Sequence, residues 1–125
     1  MPMSRIIHVH NLDNPSQTAL QIKYCDSFTC RLRGLTFRPP LAPTEGLLLV
    51  YKRDSRVDTS IHMLGVSFDL AVIWINSSMQ VVDKVLAESW KPAYMAKEDA
   101  QYILEIHPDR LGEFEIGNKV EFIDV

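Results

Sequence analysis

The run Leu70-Ala71-Val72-Ile73-Trp74-Ile75, followed by Asn76-Ser77-Ser78 and then by Gln80-Val81-Val82-Asp83-Lys84-Val85-Leu86, decides how this chain is read. Six apolar residues rich in branched Cβ atoms suit a strand buried on both faces, because such side chains pack well on a pleated surface and are stiff in a helix. Asn and Ser tolerate turn geometry and bond their own backbone, so the segment predicts a β-hairpin. This pair is expected at the centre of a sheet. Six residues also fall far short of the roughly 20 that cross a bilayer as a helix.

Outward from the hairpin, other segments repeat with period two. Ile7 and Val9 alternate with His8 and His10, and Leu20, Ile22 and Tyr24 alternate with Gln21 and Lys23. A turn through Asn14-Pro15-Ser16 separates these two. Residues 47–51 read as a buried strand and residues 60–63 as another, with the charged loop Lys52 to Asp58 between them. Ala100, Tyr102, Leu104 and Ile106 alternate again, and Val120 with Phe122 marks a last strand. Helical spacing occurs at Phe28, Leu32 and Leu35, which predicts one short buried stripe over residues 27–38, capped by Asp26 or Ser27 and ended by Pro39-Pro40. A helical turn is expected over residues 109–113. The fold expectation is therefore an all-β single domain over residues 1–125, an antiparallel sandwich or barrel with one real helix.

With 125 residues, 46% hydrophobic and 23% charged, the chain has enough side chain for one core and too little for two, and its net charge of −3 is that of a globular protein. Charge is uneven. Residues 1–62 hold eight Lys or Arg against five Asp or Glu, and residues 63–125 hold five against eleven. Such an acidic chain lacks the footprint of a nucleic-acid binder, so Arg31, Arg33, Arg38, Lys52, Arg53 and Arg56 are expected to pair with the acidic carboxyl-terminal part rather than form a patch. Neither nucleic acid nor membrane is expected as a partner. The amino-terminal residues Met1 to His10 lack the apolar segment of a signal peptide, which predicts a cytoplasmic protein. Cys25 and Cys30 stand five apart, too far along a strand for a disulfide and on different sides of a helix, so reduced thiols are expected.

The segment Ser27-Phe28-Thr29-Cys30-Arg31-Leu32-Arg33-Gly34-Leu35, then Phe37-Arg38 and Glu45-Gly46-Leu47-Leu48-Leu49, resembles the family known as domain of unknown function 192. That family's mark is an Arg-x-x-Gly-Leu helix leading into a Gly-Leu-Leu strand. Ser60-Ile61-His62, Gly65, Phe68, Tyr102-Ile103-Leu104-Glu105 and Gly117 follow in the family's order, and the resemblance spans roughly residues 20–123. It implies a single mainly β domain of jelly-roll type and carries no agreed activity, substrate or cofactor. The chain departs from the family pattern at Asp69-Leu70-Ala71, where an acid stands two positions early and alanine takes the usual acid position.

Among side chains with chemistry, His62 matches a family position at a strand end and is the first choice for a polar site group. His8 and His10 share a strand face, yet a zinc site needs a third ligand that spacing does not name, so no metal and no cofactor are expected. His107, before Pro108, reads as a turn residue. On the helix, Arg31 and Arg38 flank the stripe and Arg33 points away, so a guanidinium here bonds either an anion or an internal partner such as Glu105 or Asp69. Trp90 and Tyr94 stand in a proline-stiffened loop. Phosphate-loop, nucleophile-elbow and paired Cys-x-x-Cys motifs do not occur. Whether the chain is an enzyme stays open. The leading reading is a binding module for a small or peptide ligand, with Arg31, Arg38, His62, Asp69, Trp90, Tyr94 and Glu105 as candidate ligand-binding residues and no assigned catalytic residue. The rivals are an enzyme using His62, Arg31 and Asp69 on an anionic substrate, and a structural or assembly protein. Sequence leaves the oligomeric state open.

Overall fold

The structure, a computed structural model, describes residues 5–15 and 18–125. Met1 to Ser4 of the amino-terminal reading and Ser16 of the predicted turn lie outside the described residues. The described residues form seven strands: β1 Ile6–Asn11, β2 Leu20–Cys25, β3 Glu45–Val50, β4 Leu70–Ile75, β5 Val81–Ala87, β6 Tyr102–Ile106 and β7 Val120–Asp124. One helix, α1 Phe28–Arg33, joins β2 to β3, and a 3-10 helix spans Pro108–Glu113 where the helical turn was expected. His107 caps that 3-10 helix, its Nδ1 accepting from the Asp109 N–H at 3.1 Å. The fold is mainly β and sandwich-like or barrel-like, as the strand count implies.

All strands lie in one sheet of order β5-β4-β6-β3-β2-β1-β7. The sheet is mixed, because β2 and β3 pair in parallel across the α1 crossover while every other pair is antiparallel. The hairpin forms as predicted, with Asn76 Oδ1 accepting from the Ser78 and Gln80 N–H groups at 3.0 and 3.1 Å. It does not sit at the centre of the sheet. β5 is an edge strand, and the sheet curls until the edges touch at one end, where the Val81 N–H donates to the Asn118 carbonyl at 2.9 Å.

Curling makes two cores from the two faces. Ile22, Leu48, Ile73, Leu104, Ile106 and Phe114 fill the inner side, while Leu47, Leu49, Val72, Trp74 and Ile103 point outward and are covered by residues following α1 and by residues 61–66 and 96–100. Alternation therefore buries Leu47, Leu48 and Leu49 together.

Several expectations are corrected. The helix is half as long as predicted: Ser27 does cap it, accepting from the Cys30 N–H at 3.2 Å, but Gly34 ends it at φ 51°, well before Pro39. Its stripe is not buried as a unit, since Leu35 is 4% exposed but Phe28 is 69% and Leu32 65%. Residues 60–63 form no strand, only a single bridge between Ile61 and Tyr94. Cys25 and Cys30 are disulfide-bonded with Cα atoms 5.6 Å apart. The chain is neither all strand nor all helix between them: it leaves β2 at Cys25 and turns back through Asp26 and Ser27 into α1, and that reversal supplies the proximity that uniform geometry denies. Nor does the basic set pair with the acidic carboxyl-terminal part. Arg53 meets Asp58, and among the described residues Arg56 alone of the set hydrogen-bonds to that part, donating from Nε to the Ala96 carbonyl and from its backbone N–H to Asp99.

Candidate functional site

Beneath α1, β6 presents Glu105 on the outer face of the sheet, between Leu47 of β3 and Val72 of β4. Both neighbours are apolar and the glutamate is only 6% exposed. Its Oε1 is buried with no hydrogen-bond partner. Burial alone pushes this carboxyl from 4.5 up to about 7, because a charge in a low-dielectric setting loses its hydration.

Glu105 lines a cavity of about 70 Å³ together with Arg31, Tyr51, Ser60 and His62. The cavity shares Arg31, Leu32, Tyr51, Ser60 and His62 with a wider groove of about 650 Å³, whose rim adds Phe28, Lys52, Arg53 and Asp58. The backbone holds these groups in place. Arg31 Nη1 donates to the Asp26 and Val50 carbonyls at 2.6 and 3.1 Å, and its guanidinium lies 5.0 Å from the centre of the Tyr51 ring. The guanidinium thus bonds internal partners, but these are backbone carbonyls and not Glu105 or Asp69. Burial raises the Tyr51 phenol; Arg31 works against that rise, and Glu105 and Asp58 add to it. Ser60 donates from Oγ to the Val57 carbonyl at 2.8 Å. His62 is exposed at the cavity wall.

Close approach of the strands also depends on Gly46. A Cβ there would stand 2.6 Å from the Glu105 carbonyl oxygen and under 3 Å from side-chain carbons of Ile22 and Ile106. Only glycine lets β3 lie this close to the strand that carries the buried acid.

The other sequence candidates lie elsewhere. Arg38 is across α1, donating from Nε to the Pro39 carbonyl and lining a neighbouring groove of about 500 Å³ with Lys23, while Arg33, expected to point away from Arg31, lines both that groove and the Glu105 cavity. Asp69 accepts from the Ser89 N–H at 2.9 Å, Tyr94 Oη accepts from the Glu88 N–H at 2.8 Å, and the Trp90 side chain is exposed while its backbone N–H donates to the Met63 carbonyl at 3.0 Å. These three belong to a loop platform, and Glu105, Arg31 and His62 alone meet at one cavity. Tyr51 and Ser60 escaped sequence reading. The available signal was a tyrosine that ends a buried strand just before a charged loop. Cys30, beside Arg31 on α1, is oxidised in the bridge to Cys25 and offers no thiol to the cavity. His8 and His10 stack at 6.2 Å between ring centroids on β1, where His10 faces Glu121.

The family model DUF192, described as Uncharacterized ACR, matches residues 9–122. The chain belongs to that family. Among curated relatives, a UPF0127 protein of Pyrococcus furiosus is 30% identical over 115 residues, covering 90% of this chain and 95% of that one. A UPF0127 protein of Thermococcus kodakarensis is 38% identical over 85 residues, 68% of this chain and 52% of that one. The match thus takes in only about half the length of the Thermococcus relatives. A Sinorhizobium meliloti 1021 protein described as a candidate transcription regulator superposes with a TM-score of 0.80 at 18% identity, over 98% of each chain. A protein of unknown function from Novosphingobium aromaticivorans gives 0.78 at 20%, over 93% of this chain and 83% of that one. At such identities the likeness is one of fold. DUF192 is a family of uncharacterised function, and the Arg-x-x-Gly-Leu and Gly-Leu-Leu motifs here build α1 and β3 around Glu105. No helix among the described residues is long and apolar enough to cross a membrane.

Proposed function

We propose that this DUF192 chain is a single-domain binding module for a small ligand, held in the cavity floored by Glu105 and walled by Arg31, Tyr51, Ser60 and His62. The observation that carries the reading is the unpartnered, buried Oε1 of Glu105. A buried polar atom without a partner costs about 1–3 kcal/mol, so a fold that keeps one beside an open groove is suited to having a ligand complete the bond. A second reading, an enzyme acting on an anionic substrate, is favoured by a carboxyl near neutrality and an imidazole facing one space. On that reading Glu105, not Asp69, works with His62 and Arg31.

Neither nucleic acid nor membrane is part of the proposal. Its location in the cytoplasm is set against the Cys25–Cys30 bridge, since disulfides persist mainly in oxidising compartments, and cell fractionation decides between them. Binding is tested by ligand-observed magnetic resonance with a fragment library on the parent and on Ser60→Trp, whose indole fills the groove mouth. Fragments bound by the parent and lost in the variant support the module. Equal binding to both proteins, or none to either, overturns it.

A further inference from the structure

Three features of the cavity and its groove ask for different parts of one ligand. The rim is cationic: Arg31, Lys52 and Arg53 face a single carboxylate, Asp58, which Arg53 already engages at 3.5 Å. Arg31 spends only Nη1 on backbone carbonyls, and Nε and Nη2 make no hydrogen bond among the described residues. The groove is also apolar where water meets it, because Phe28 and Leu32 stand exposed beside the arginine on α1. Beneath them, about 70 Å³ gives room for a carboxylate or one or two waters, not for a whole organic molecule.

We propose that the cavity takes the carboxylate of a small organic acid, which Glu105 meets as a neutral carboxyl donating a hydrogen bond and Arg31 meets with charge, while the acid's apolar body lies on Phe28 and Leu32. The proposal rests on the binding-module reading and names its ligand class. A cationic ligand is disfavoured by the guanidinium groups of Arg31 and Arg33, which line the same cavity. A carboxylate suits Arg31, and a protonated acid in an apolar setting is a strong donor to an anion. The groups facing Glu105 are Arg31 and Arg33 from α1 and Tyr51 and His62 from residues 51–62; β3 and β4 contribute only Leu47 and Val72. Burial of Glu105, which raises it to about 7, keeps most of the proton in place at pH 6. Above that, two carboxylates would share one cavity and repel.

The test is calorimetry with 3-phenylpropionate, 3-phenylpropanamide and 3-phenylpropylamine at pH 6 and pH 9. The acid is expected to bind at pH 6 at least tenfold more tightly than the amide or the amine, and to weaken about tenfold at pH 9. Glu105→Gln, a neutral donor at every pH, is expected to bind the acid without that weakening. Preference for the amine, or an equal fall with pH in Glu105→Gln, overturns the carboxylate. If the acid fails while other fragments still bind in a Ser60-dependent way, the module stands and the ligand class falls; if nothing binds, both fall.

Discussion

The indole N–H of Trp74 donates to the carbonyl of Thr59 at 2.9 Å in a fully buried hydrogen bond. Thr59 in turn donates from its hydroxyl to the Ser55 carbonyl at 2.6 Å. A central side chain of β4 thereby fixes the loop that carries Ser60 and His62 over β6, and a loop without strand structure gains a defined position. The cavity owes its wall to this bond as much as to α1.

Glu105 ties stability to pH with a known sign. Its folded value, about 7, lies above the ordinary 4.5, so the folded state holds the proton more tightly than the unfolded chain. No penalty exists below 4.5; it grows as pH rises through the interval and is complete above 7. The full size is about 3 kcal/mol from the two values. Urea denaturation at pH 4.5 and pH 8.5 is expected to show this loss in the parent relative to Glu105→Gln. Parallel pH profiles for the two proteins would contradict it.

Removing Arg31 is expected to cost less than breaking a buried ion pair. Its partners are the Asp26 and Val50 carbonyls and the Tyr51 ring, and the side chain is half-buried. Two unpaired carbonyls beside an open groove can take water, so Arg31→Ala should lose about 1–3 kcal/mol, not the 3–5 kcal/mol of an orphaned buried charge. Denaturant midpoints measure the difference.

Gly46→Ala should be disruptive despite adding one methyl group. The new Cβ would meet a strand carbonyl at 2.6 Å, where no flexible side chain can yield. A cost of about 1–3 kcal/mol or more is expected from overpacking. Gly112→Ala is the control, since nothing lies within 4 Å of its Cβ position, and it should be close to neutral in the same assay.

Reduction of the Cys25–Cys30 bridge should lower stability. Closing so short a loop is worth about 2 kcal/mol by chain entropy. A fall in the urea midpoint with reductant, absent in a Cys25→Ser, Cys30→Ser double variant, is the expected result. An unchanged midpoint in the parent would count against the bridge.

Local chemistry was enough to determine much of this protein. The β-branched run and Asn-Ser turn of residues 70–86 make a hairpin wherever they are placed, the alternation at Ile7, Leu20 and Leu104 makes strands, and Ser27 starts a helix, because each depends on neighbours in sequence. Tertiary structure alone decided what those elements face. Alternation would turn Glu105 outward toward water, opposite Leu104 and Ile106, but α1 and residues 51–62 cover that face and make the outward position a buried one. The parallel pairing of β2 with β3, the approach of Cys25 to Cys30 and the exposure of Phe28 and Leu32 likewise follow from where the chain doubles back. Periodicity reports which residues share a side of an element; which sides end up covered depends on contacts between residues far apart in the chain, such as Tyr51 and Glu105, and no local spacing encodes them.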